Sequence, residues 1–215
     1  MNDVTVLSRH ASPGGRPQPL AFLNGTLWAG AWETDALYAI DPQTWKVREQ
    51  VAAPGRPYGL ATLQNELRVV VSLGEDDDRY LVRFIPGRGF DDASKMPCPE
   101  FTGSHLASDG STLYLTQQGL RRIVTLDAQA AIQREFALPT RCGGIAFGPN
   151  GDLYMIAADA DFDNLDFAKL DVDGEKPEAT HIAKVDPDAR GLAFDGSSWW
   201  TSYREAGEIT AFNVP

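Results

Sequence analysis

One pattern recurs five times along this chain, and few folds accommodate it. Each occurrence opens with a small-apolar phrase: Pro19-Leu20-Ala21-Phe22, Gly59-Leu60-Ala61-Thr62, His105-Leu106-Ala107-Ser108, Gly144-Ile145-Ala146-Phe147 and Gly191-Leu192-Ala193-Phe194. A tight turn follows, then a bulky segment beginning Leu27-Trp28, Leu67-Arg68, Leu113-Tyr114, Leu153-Tyr154 or Trp199-Trp200. A third, alternating segment completes the motif: Leu37–Asp41, Leu81–Ile85, Ile123–Asp127, Phe167–Asp171 and Ile209–Asn213. Apolar residues at every second position are the mark of strands packed between layers. Several short strands repeated at a fixed period point to the blades of a propeller.

The spacing sets the blade number. Leu37, Leu81, Ile123, Phe167 and Ile209 stand 44, 42, 44 and 42 residues apart, and the path from Ile209 through the termini back to Leu37 takes 43. Five blades use up the chain, and the fifth is one strand short unless residues 4–10 supply it. Closure of that kind removes the free strand edges that template aggregation. The expected fold is therefore an all-β, five-bladed propeller spanning 1–215, with four-stranded blades near 19–57, 58–103, 104–142, 143–190, and 191–215 plus 1–18. Asn24-Gly25, Asp109-Gly110, Asn150-Gly151 and Asp195-Gly196 suit hairpin turns, and the second blade departs with Gln64-Asn65-Glu66. Outer strands are expected at Val47–Ala52, Ile132–Ala137 and His181–Val185, with an ill-defined one near Lys95–Cys98.

Bulk properties narrow the function. A net charge of −11 argues against nucleic acid and against a polybasic membrane anchor. No run of 18 apolar residues exists, and Met1-Asn2-Asp3 lacks the features of a secretory signal. Cys98 and Cys142 are too few for a disulfide scaffold, so a reducing cytoplasm and a monomer are the expectation.

In a propeller, the loop leading into each inner strand and the loop between the two middle strands share one face, around the channel mouth. A ligand is sought there. Counting back along the inner phrases places Arg16, Arg56 and Arg141 at that mouth, with Arg190 nearer the axis. Planar guanidinium forks suit carboxylate or phosphate, so a small anionic molecule is the expected ligand. The competing reading pairs each arginine with a loop acid such as Asp35 or Glu205. Gln18, Tyr58, Ser104 and Arg190 are expected to point at the axis, with His105 beside them as a candidate general base. Trp32, Tyr203 and Arg204 are candidate walls. Asp159–Asn164 alternates carboxylates like the start of a calcium loop, but lacks its Gly at position six and its Glu at position twelve, and reads as a solvated acidic loop. No metal site or cofactor is expected, and no reaction is assigned. An interaction scaffold that docks a basic protein on an acidic face is the alternative function.

The repeat as a whole resembles the YVTN, NHL and SMP-30-type propellers, in phrases such as Gly191-Leu192-Ala193-Phe194-Asp195-Gly196 and the run from Gly144 to Tyr154. That group spans lactonases, lyases, cyclases and binding modules. One blade, Asn24 to Thr44, resembles a blade of glutaminyl cyclases (glutamine cyclotransferases), which are also five-bladed. The resemblance implies Trp32 and Asp35 as pocket residues. It also implies an Asn-Glu-Leu-Glu phrase where this chain has Gln18-Pro19-Leu20-Ala21, so both acids of the proton-transferring phrase are absent. A lactonase of the SMP-30 type is implied to need a divalent metal at the axis, and no glutamate opens an inner strand here.

Overall fold

In the computed structural model, which describes residues 1–174 and 176–215, the five motifs form five four-stranded antiparallel sheets arranged as blades. Blade 1 holds β2 (Pro17–Leu23), β3 (Thr26–Ala31), β4 (Ala36–Ile40) and β5 (Val47–Ala52). Blade 2 holds β6 (Arg56–Leu63), β7 (Glu66–Leu73), β8 (Asp78–Ile85) and β9 (Gly89–Pro97). Blade 3 holds β10 (Leu106–Ser108), β11 (Leu113–Gln117), β12 (Arg122–Leu126) and β13 (Ile132–Ala137). Blade 4 holds β14 (Arg141–Phe147), β15 (Leu153–Ala158), β16 (Leu165–Asp171) and β17 (Glu178–Val185). Blade 5 runs β18 (Ala189–Phe194), β19 (Trp199–Tyr203) and β20 (Glu208–Asn213), and β1 (Thr5–Ala11) completes it from the other end of the chain.

The closing pair runs antiparallel from Thr5 opposite Asn213 to Ala11 opposite Glu208, with a bulge between Val6 and Ser8. The preceding residues also bond blade 4: Val4 donates its N–H to the carbonyl of Lys184 at 3.0 Å, and Lys184 returns one to Asn2 at 2.9 Å. On the other side, Trp45 stacks on His10 at 4.1 Å between centroids and donates its indole N–H to the Ala11 carbonyl. One strand thus ties three blades together.

Leu20, Leu60, Leu106, Ile145 and Leu192, one from each inner strand, meet on the axis and are all buried. The space between them is too small for a water molecule, so the channel is plugged midway. In four blades the inner strand starts with a bulge, between Pro17 and Leu20, Pro57 and Gly59, Cys142 and Ile145, and Ala189 and Leu192. Just before the plugging residue the five blades carry Pro19, Gly59, His105, Gly144 and Gly191. A Cβ on Gly144 would lie 2.5 Å from the Leu192 nitrogen, and one on Gly191 close against the Gln18 carbonyl oxygen. Adjacent blades therefore approach backbone to backbone at this ring.

The hairpin turns use left-handed backbone. Asn24 and Gly25 have φ of 49° and 72°, and Gln64 and Asn65 take 53° and 61° at the equivalent turn of blade 2 without any glycine. Among the described residues, no helix is long and apolar enough to cross a membrane.

Candidate functional site

The loops before β2, β6, β14 and β18 and the loops after β3, β7, β15 and β19 gather on one face. At their centre lies Trp32, whose indole N–H donates to the Pro57 carbonyl at 2.7 Å and whose ring sits 4.7 Å from that of Tyr58. Three guanidiniums surround it: Arg204 at 4.5 Å from the ring centroid, Arg56 at 5.4 Å and Arg16 at 5.8 Å. Across the mouth a second aromatic, Phe162, lies between Arg141 and Arg190, each 5.6 Å from its ring. Arginine over an aromatic face gains from the ring quadrupole and stays available to other partners at its edge.

The acids of the mouth engage most of these cations. Glu205 bonds Arg16 at 2.8 Å and Arg204 at 2.9 Å, and both contacts hold its carboxyl below the usual range. Asp188 lies 3.5 Å from Arg190 and accepts the backbone N–H groups of Glu205 and Ala206. Asp35 stands 3.8 Å from Arg56, at the outer limit of an ion pair. Arg141 has no carboxylate within ion-pair range among the described residues. Four of the five guanidiniums are thus joined to three carboxylates, one of them shared by two arginines.

Below the arginines lies a polar layer resting on the aliphatic plug. Gln18 and His105 are buried, and the Gln18 amide nitrogen sits 3.4 Å from His105 Nε2 across the axis. The Gln18 side-chain amide oxygen Oε1 has no hydrogen-bond partner. Ser202 fixes the backbone here, donating to the Gln18 carbonyl while accepting from the Gly191 N–H. Burial pushes the His105 pKa down to about 3, and the charges of Arg190 and Arg204 push the same way. Arg190 itself is lowered by burial, offset by Asp188 and reinforced by Arg204. These shifts describe a floor under positive potential, where a neutral imidazole is favoured.

The structure brings Arg16, Gln18, Trp32, Asp35, Arg56, Tyr58, His105, Arg141, Arg190 and Arg204 to this one end of the channel. Ser104 joins them through its backbone, which donates to the Thr116 carbonyl. Tyr203 goes elsewhere: it is packed between blades 4 and 5 under Arg9, 5.3 Å from its ring, and burial pushes its hydroxyl up to about 12. Two participants escaped the sequence reading. Arg79 lies 3.6 Å over Tyr58, donates to the Gly103 carbonyl and pairs with Asp77. Phe162 sits inside the acidic run, whose Asp159 carboxylate accepts the N–H groups of Asp163 and Asn164 and so folds the loop that presents the ring. No residue spacing marks either one, because both act through a neighbouring blade.

No protein-family model matches the chain, and no curated protein does. Solved structures do. Glutaminyl cyclase from Myxococcus xanthus is similar with a TM-score of 0.73 at 11% identity, over 98% of this chain and 96% of that one. Regucalcin, a calcium-binding protein from Agrobacterium tumefaciens, gives 0.61 at 13% identity over 99% and 94%. Virginiamycin B lyase from Staphylococcus aureus gives 0.58 at 12% identity over 97% and 99%. At such identities the likeness is one of fold. These neighbours include enzymes and a binding protein, and the fold they share with this chain carries no single chemistry.

Proposed function

We propose that the arginine-lined mouth binds a small anionic molecule, a carboxylate or a phosphate ester. The observation that carries this reading is that five guanidiniums stand around the aromatic walls of the mouth with three carboxylates in ion-pair range, and Arg141 has none among the described residues, in a protein that is acidic as a whole. Arg190 and Arg204 are the innermost cations, mostly shielded from solvent, and hydrogen bonds from guanidinium to an anion gain strength there. Trp32, Tyr58 and Phe162 supply flat apolar surface for the rest of the ligand. In this reading His105 is a neutral hydrogen-bonding group, since an imidazole with so low a pKa is a weak base, and the site is one of binding.

The test is a thermal-shift series with small carboxylates, phosphates and divalent metals. A ligand at a hundredfold excess over its dissociation constant stabilises by about 2.7 kcal/mol. Anions should raise Tm in wild type, and Arg190→Ala or Arg204→Ala should abolish the rise while changing unliganded stability by about 1 kcal/mol or less. A panel in which no anion shifts Tm defeats the proposal. Salt-sensitive capture of a basic protein on this face would assign the surface to docking instead.

A further inference from the structure

The mouth straddles the place where the ring closes. In blades 1 to 4, paired strands follow one another along the chain, whereas β20 and β1 pair from its opposite ends. Each residue of β1 is exposed or half-buried, so little apolar burial backs its hydrogen bonds to β20. An element with exposed backbone bonds and few buried side chains opens more readily than the whole fold. When β1 leaves β20 it departs with blade 1, to which residues 12–16 link it, and β18 to β20 stay on the far side of the gap.

Groups from the two sides of that gap meet in the mouth. Arg16 and Trp32 belong to the blade 1 side, with Arg56 beyond them at the start of β6, while Arg190, Arg204 and Glu205 belong to blade 5. Arg204 lies 4.5 Å over the Trp32 ring, Glu205 bonds Arg16 at 2.8 Å, and Ser12 donates its N–H to the Gly207 carbonyl at 2.8 Å. Deeper in, Ser202 donates to the Gln18 carbonyl at 2.8 Å, and Trp200 shares an apolar cluster with Leu20 and Tyr38. Glu205 thus already spans the gap with one carboxylate. Both it and Arg16 are largely exposed, so the pair adds little to closure. Opening at β1 pulls the arginines of the two sides apart.

On the anion site proposed above, we propose a regulatory role: the bound anion is the clasp of the ring, joining Arg16 or Arg56 to Arg190 or Arg204 and so holding β1 on β20. A ligand taken only by the closed form lowers the open population by a factor of one plus its concentration over Kd, about tenfold at a tenfold excess. The experiment is hydrogen–deuterium exchange of the full chain with phenyl phosphate and with phenylacetate, each at tenfold excess over the Kd found by calorimetry. Both carry an anionic group for the arginines and a ring for Trp32, Tyr58 and Phe162. Amides of β1 should exchange about tenfold more slowly with the probe bound, and those of β9 and β13, outer strands away from the gap, should keep their rates. Unchanged β1 exchange with a bound probe, or β9 and β13 slowed as much as β1, would overturn the clasp and leave the anion site standing. If neither probe binds, the anion site is refuted and the clasp with it. The double variant Arg16→Ala, Arg56→Ala strips the blade 1 side of its cations, and the probes should then no longer slow β1; slowing that survives would overturn the proposal.

Discussion

Glu205 holds two arginines with one carboxylate, and that economy makes it the internal competitor of any incoming anion. Glu205→Gln frees Arg16 and Arg204. Affinity for an anion that stabilises wild type should rise several-fold, while stability without ligand changes by under about 1 kcal/mol, because the Glu205 carboxylate itself is largely exposed. Titration calorimetry on the two proteins decides it; unchanged affinity would place the bound anion away from Glu205. His105 gives a second prediction. Its pKa is depressed in the folded chain, to about 3, against about 6.5 unfolded. Between those values the unfolded chain takes up a proton that the folded one refuses. This contribution is complete above pH 6.5 and is lost as pH falls, by up to ~1.4 kcal/mol per unit. His105→Gln should flatten the dependence of Tm on pH between 7 and 4, and a slope equal to wild type would mean the imidazole is protonated inside the fold. The sequence exposed Arg16, Arg56 and Arg141 because each sits four residues before a repeating leucine or isoleucine, and Arg190 because it sits two before Leu192. It did not expose their partners: which carboxylate reaches which guanidinium depends on loop shape across a blade boundary, and Phe162 enters the mouth only because Asp159 curls its loop.

Within a blade, the strands were legible from alternation and from turns, and the exceptions have physical causes. The inner strands begin two or three residues ahead of the apolar phrase, at Pro17, Arg56, Arg141 and Ala189, because a bulge hides their first pairings from a strict two-residue period. The outer strand of blade 2, ill-defined near Lys95–Cys98, runs over Gly89–Pro97, and residues 92–95, four opposite the single Val82, break the alternation that would have revealed it. The glycine ring beside the plug yields a prediction at this scale. Gly191→Ala drives a Cβ against the Gln18 backbone, where neither blade yields easily, and should destabilise by about 3 kcal/mol. Gly119→Ala, with open space around the added carbon, is the control and should stay within about 1 kcal/mol of wild type. Chemical denaturation of both variants measures the difference; equal losses would show the blades are free to separate there.

As a whole the ring depends on β1. Removing Met1–Ala11 would bare the edge of β20, break the two backbone bonds to Lys184 and free Trp45 from its stack on His10. The shortened chain should lose its cooperative thermal transition and aggregate, as followed by near-ultraviolet circular dichroism and light scattering. A monodisperse product with the Tm of wild type would show that four intact blades hold the fifth unaided. The same arrangement orders events during synthesis. Asn213 follows Thr5 out of the ribosome roughly 10 to 40 s later at bacterial-to-eukaryotic elongation speeds. Each of the first four blades can hydrogen-bond internally as it emerges, yet β1 has nowhere to go until β20 has been made. Made ahead of β2 to β20, β1 is the last strand to be seated, and the half-exposed Val6 and Leu7 wait in solvent for a partner that does not yet exist.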